Sequence, residues 1–235
     1  MLGSNPSLRC DLGQARASRR NDRIQNHHGP GRLKADNASL GQLIEFAYNV
    51  PAAKIVGQLP RDSFDVEGQA DGAHTRAEHR LMLQSLLAER FGLRLHRESR
   101  EIRVDALVLG KSPKLQAIEI TDPDPAGFHF HGGTLRNHVA VEGRSVSLED
   151  LANYLTDHYH ERLIVDATGL KGVYDFTVDY EVDSERVADP KVPFADARSS
   201  LMDDRVAALG LKIESGRRAP VEVLVIDHVS LPEPN

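Results

Sequence analysis

Tryptophan is missing from this chain, cysteine occurs once, and aromatic residues make up only 5% of it. A lone Cys10 excludes an intrachain disulfide and a cysteine-based zinc site. With so few rings, the core has to be built mostly from Leu, Val, Ile and Ala. No apolar run approaches the ~18 residues that a spanning helix requires, so no membrane span is expected. The start of the chain lacks the apolar stretch of a secretory signal. A dense basic block is also absent and the net charge is -6, which argues against a nucleic-acid partner. Arg16, Arg19 and Arg20 read as a solvated tail. Without a P-loop or a Gly-x-Gly-x-x-Gly segment, no nucleotide cofactor is expected.

What is present suffices for a sizeable core: 235 residues, 40% of them hydrophobic and 27% charged. Residues 1–30 are polar without a usable period and are expected to be poorly ordered. From Gly31 the pattern sharpens. Arg32 to Ala35 reads as a short strand and Asn37 to Ser39 as a turn. Ser39 and Gln42 then have the spacing of a capping box, followed by Leu40, Leu43, Ile44 and Ala47 at helical spacing. Thr75 and Glu78 open a second helix, which carries Leu83, Leu86, Leu87 and Phe91 and stops at Gly92. Two short strands lie between these helices. Leu93–Leu95 and Val104–Leu109 follow the second helix and are expected to pair as an antiparallel hairpin. Pro113, Pro123, Pro125, Gly127, Gly132 and Gly133 mark residues 111–134 as a linker or long loop.

The same order of elements then returns over residues 135–235. Leu40 and Leu148 stand 108 residues apart, Phe64-Asp65 and Tyr174-Asp175 110, and Gly92 and Gly210 118. The offset drifts only in loops. The expectation is an α+β fold with an internal duplication: two β-α-β-β-α-β-β units, residues 31–110 and 135–235, with mixed sheets.

Arg80–Phe91 with Leu95-His-Arg-Glu98, Val165–Phe176, and Pro220–His228 together resemble hallmark blocks of a soil-associated bacterial protein family abundant in acidobacteria. The resemblance runs from about Gly31 to the C-terminus. It implies a domain of unknown function with no catalytic residues to carry over. It also implies an exported, periplasmic or secreted setting, and a kinship with domains fused to antibiotic-sensor membrane metallopeptidases. The β-α-β units are further similar, at the level of fold alone, to the short N-terminal domains of secretins and TonB-dependent receptors. Family members open with a strand of the type Phe-Glu-Val-Ala-Ser-Ile-Lys, which residues 1–30 do not contain. Either that strand is lost or the true start lies upstream.

The candidate chemistry is thin. His129 and His131 are two apart in an extended segment, and His158 and His160 repeat the spacing. With Asp157 or Glu161 they could hold a divalent metal, though four surface histidines explain the same pattern. Asp166, Thr168 and Gly169 read as turn chemistry rather than an acid/base site. Asp227-His228 would need a nucleophilic serine, and there is no Gly-x-Ser-x-Gly elbow to present one. Tyr174-Asp175-Phe176 reads as two core aromatics, with Asp175 facing outward or in a local hydrogen bond. His96-Arg97-Glu98 is either a recognition patch or a charged sheet edge. The reading is therefore a non-enzymatic interaction module, in which association with a protein partner or with a second copy of the chain occurs along a polar sheet edge near residues 32–35. A metal-assisted hydrolase using the histidines is one alternative, and a sensor that binds a small ligand is another.

Overall fold

The computed structural model describes residues 8–9, 32–69, 75–112, 114–119, 127–132, 138–159, 162–181, 203 and 206–232. It is an α+β protein with mixed sheets. The chain divides into two compact units, Met1–Arg100 with Glu222–Asn235, and Glu101–Val221.

In the first unit, strand β1 (Leu8–Arg9) is the only described part of residues 1–30. It is followed by β2 (Arg32–Ser39), α1 (Leu40–Tyr48), a short 3-10 turn (Ala52–Lys54), β3 (Ile55–Val56), β4 (Ser63–Gln69) and α2 (Arg76–Arg90). Both helices start where the sequence places them. The Ser39 hydroxyl accepts the Gln42 N–H while the Gln42 side chain accepts the Ser39 N–H at 2.8 Å, and Thr75 and Glu78 repeat the exchange. These exchanges satisfy donors that a bare helix start leaves open. α2 closes on Gly92, whose φ of 55° lets the Leu93 N–H reach back to the Leu87 carbonyl at 3.1 Å. The core gathers Leu40, Leu43 and Ile44 of α1, Leu83 and Leu87 of α2, Val66 of β4, and Leu224 near the end of the chain. Phe91 meets Phe64 edge to face, with ring centroids 4.8 Å apart. Each such aliphatic or aromatic side chain contributes about 1.5–3 kcal/mol by leaving water.

The second unit contains β6 (Ala117–Ile118), β7 (Gly127–Gly132), β8 (His138–Val146), α3 (Leu148–Tyr159), β9 (Ile164–Asp166) and β10 (Val173–Glu181). Segment 111–134, expected as a linker or loop, thus carries two short strands, and both belong to the sheet of this unit. At the start of α3 the Ser147 hydroxyl accepts the Asp150 N–H at 3.0 Å and donates to the Asp150 carboxylate at 2.8 Å. The buried Thr156 hydroxyl ties α3 to β9, accepting from the Ile164 N–H and donating to the Ala152 carbonyl, both at 2.9 Å. Leu107, Val146, Leu148, Leu151, Leu155, Ile164, Tyr174 and Leu211 make up most of its core.

Two long strands complete the chain, β5 (Arg94–Leu109) and β11 (Leu211–His228), in the sheet order β3-β11-β5-β9. Here the sequence reading is corrected. Each expected terminal hairpin is one continuous strand, of 16 residues in β5 and 18 in β11. The polar stretches that suggested a turn are the exposed middles of these strands. Gly216, within the polar stretch of β11, has a φ of 80°, and its N–H donates to Asp105 Oδ1 at 2.9 Å. A left-handed glycine placed this way bends a strand without reversing it. The carboxylate that holds it is itself buried and also accepts from Arg162 at 3.3 Å.

Candidate functional site

β2 is the end strand of the sheet β1-β4-β2. Its register on β4 runs from Arg32 opposite Gln69 to Ser39 opposite Ser63, with an irregularity between Ala35 and Ala38. Leu33, Ala35 and Ala38 are buried, whereas Lys34 and Asp36 face water and pair with each other at 2.9 Å. The irregularity centres on Asn37, which has a φ of 53°, a region that asparagine tolerates better than most residues. Its N–H leaves the ladder and donates to Asp65 Oδ1 of β4 at 2.7 Å. Among the described residues, β4 is the only strand beside β2, so the outer row of β2 backbone groups faces no described strand. Such a row is a template for an added strand.

The second unit repeats this construction. Ser145, two residues before the helix cap Ser147, has a φ of 48°, and its N–H donates to Asp175 Oδ1 of β10 at 2.7 Å. β8 pairs with β10 antiparallel and is irregular at this point, between the pairs of Tyr174 and Phe176. Here, however, the far side of β8 is covered. β7 runs antiparallel along it, from Gly127 opposite Arg144 to Gly132 opposite Val139. The pairs are also built differently where the chains pack. Ala35 stands opposite Val66, whereas Gly143 stands opposite Phe176, and a Cβ added at Gly143 would lie 2.4 Å from the Phe176 ring.

The histidines are spread over several elements. His129 lies opposite Glu142 and His131 opposite Ala140 in the β7–β8 pair, His158 is in the last turn of α3, and His160 falls outside the described residues. Among the described residues no three His, Cys, Asp or Glu side chains gather as metal ligands would. Asp227 does not serve its neighbour His228. Its two oxygens lie 2.9 and 3.0 Å from Nδ1 of His96 instead. The nearby Ser230 hydroxyl donates to the Phe91 carbonyl at 3.2 Å, and β11 ends at His228. Arg97 pairs with Glu222, and Arg100 holds Glu98 at 3.0 and 3.1 Å, drawing the Glu98 carboxyl below its ordinary value. These are exposed pairs, and such pairs stabilise little. Burial pushes the Tyr48 phenol up, against the opposing pull of Arg97.

Asp166 accepts from the Thr168 N–H at 2.9 Å and from its hydroxyl at 2.7 Å, a turn as the residues suggested. Tyr174 is buried and donates to the Lys171 carbonyl at 3.0 Å, while Asp175 makes the Ser145 bond. The roles of Asp65 and Asp175 at the two irregular sites were missed in the sequence. Their signal is the recurrence of Phe-Asp and Tyr-Asp 110 residues apart, combined with Asn-Ala-Ser-Leu and Ser-Val-Ser-Leu 108 apart.

Most of the polar side chains described above act in caps, turns, strand bends or exposed ion pairs. The family is clear all the same: the chain belongs to the family described as "Protein of unknown function (DUF3738)", whose profile matches residues 41–229. No curated protein matches the sequence. No solved structure matches it either.

Proposed function

We propose that the protein is a binding module, without catalytic chemistry of its own, that engages an extended segment of another protein along the outer side of β2. The observation that carries this reading is the position of β2 at the end of its three-stranded sheet, next to β4 alone among the described residues. An added strand gains its affinity from backbone hydrogen bonds, and the alternating side chains supply selectivity. Leu33 and Ala35 are already buried in the core of the first unit, so the incoming strand would extend an existing apolar face rather than create one. We take the module to act outside the cytoplasm, as the resemblance of its motifs to exported proteins implies. Fractionation of cells expressing the full gene would contradict this by finding it in the cytosol.

The reading is tested by selecting displayed peptides against the full chain and following backbone amide exchange. Binders should slow exchange at residues 32–36 and compete with one another. Binders that protect other regions only would overturn it. Stoichiometric zinc in the purified protein, lost on replacing His129 and His131 together by alanine, would replace it with the metal-dependent alternative.

A further inference from the structure

Each long strand begins in one unit and ends in the other. Leu93 and Leu95, at the start of β5, pack in and against the first core, whereas Leu107, near its end, is buried in the second. β11 does the reverse, with Leu211 and Ile213 at the second core and Leu224 in the first. The two ends are alike in sequence: Val-Asp-Ala-Leu-Val-Leu at 104–109 and Val-Glu-Val-Leu-Val-Ile at 221–226, 117 residues apart. So are the short strands they join in parallel, Ile55-Val56 of β3 and Ile164-Val165 of β9, 109 residues apart. Leu224 stands opposite Ile55 and Val225 opposite Val56, while Asp105 stands opposite Ile164 and Ala106 opposite Val165. Between the matching pairs lies a stagger of two residues, which leaves the same faces turned inward. The first unit's own last segment thus closes the second unit, and the second unit's last segment closes the first.

This is the pattern of a strand exchange, in which identical or equivalent elements change places across a segment that runs on instead of turning back. The middles of β5 and β11 have that form, since both are polar and neither reverses. The contacts that residues 222–230 make with the first unit are local to it. They comprise the parallel pairing with β3, the burial of Leu224 among α1 and α2, and the Ser230 N–H on the Phe91 carbonyl at 2.8 Å. All of them are the same whichever copy of the chain supplies the strand. The choice is then set by protein concentration against that of the tethered strand, on the order of millimolar for a short link. We infer that the first unit also takes this strand from a second copy of the chain. The product is a dimer in which residues 222–228 of each copy close the first unit of the other.

The test mixes two full-length chains, both carrying Cys10→Ser, one with Val56→Cys and the other with Val225→Cys. These positions stand opposite each other in the parallel pair, within the reach of a disulfide. Unfolded, mixed and refolded at about 1 mM with a mild oxidant, the chains should yield a covalent dimer containing one of each kind. Neither chain refolded alone should yield it, because its thiol then faces a valine in every copy. Ile55→Cys with Leu224→Cys is the second opposed pair, should either chain of the first fail to fold. A product that stays monomeric at every concentration overturns the inference. So does a dimer that forms without the cross-link, because its two copies are then held together by another surface.

Discussion

The two antiparallel sheets solve one problem with different residues. In each, a strand feeding a helix breaks register at a left-handed residue, and a carboxylate from the paired strand takes up the N–H set loose there. Asn37 fills that position in the first unit and the buried Ser145 in the second. Beside it, the first unit packs Ala35 against Val66, and the second packs Gly143 beneath Phe176. Bulk has moved from one strand to the other, which suits a glycine shielded by a ring across the pair. What the packing holds constant is volume, and what the backbone holds constant is the position of the bend relative to the helix cap. We propose that both follow from a duplication of one ancestral unit.

The largest expected effects test whether the helix starts are equivalent. Leu40 and Leu148 are both buried at the first helical position after their caps. Leu40→Ala and Leu148→Ala should each cost about 2–5 kcal/mol, read from denaturant midpoints. An unchanged midpoint for either would break the pairing of the two helices.

A smaller effect probes the exchange of bulk. Gly143→Ala should cost about 1–3 kcal/mol, because the new methyl meets the Phe176 ring. Adding Phe176→Val should recover most of that loss by reproducing the first unit's pair. A ring that swings aside at no cost in the single variant would show that the two pairs are not alternatives.

The last comparison, which reaches down to the smallest effect, is between the carboxylates. Asp175→Ala should cost about 1–3 kcal/mol, since it leaves the N–H of buried Ser145 without its acceptor. Asp65→Ala should cost less, about 0.5–1.5 kcal/mol, because water can reach the more exposed Asn37. The reverse order in melting experiments would mean that exposure is not what separates the two sites.

Much of this was legible in the residues. The capping pairs Ser39/Gln42 and Thr75/Glu78, the apolar faces behind them, and the stop at Gly92 are local signals, and they survive folding because each is satisfied within a few residues. The long strands were not legible. Between Arg97 and Arg103 neither face is deeply buried, so the two-residue alternation that marks a strand disappears. Ser215-Gly216-Arg217 carries the chemistry of a turn and is used for a bend, a choice made by Asp105 more than 100 residues earlier. The bends at Asn37 and Ser145 were hidden for a related reason: the carboxylate that makes each one possible lies on another strand. A short Gly-bounded segment such as Gly127–Gly132 has too little length to announce a strand and becomes one by pairing with β8.

Leu224 belongs to the core formed by α1 and α2, and β11 runs parallel to β3 at Leu224 and Val225. The first unit is therefore interrupted: residues 101–221, which make up the second unit, are threaded between its two pieces. On a ribosome the order of completion runs against the order of synthesis. The nascent chain holds everything the second unit needs once residue 221 has emerged, while the first unit still waits for the strand that closes its core. Until then α1 and α2 carry an unsealed apolar face, and a growing chain is open to the misassociation that such surfaces bring. The C-terminal strand is thus the closing step of the part of the molecule that was made first.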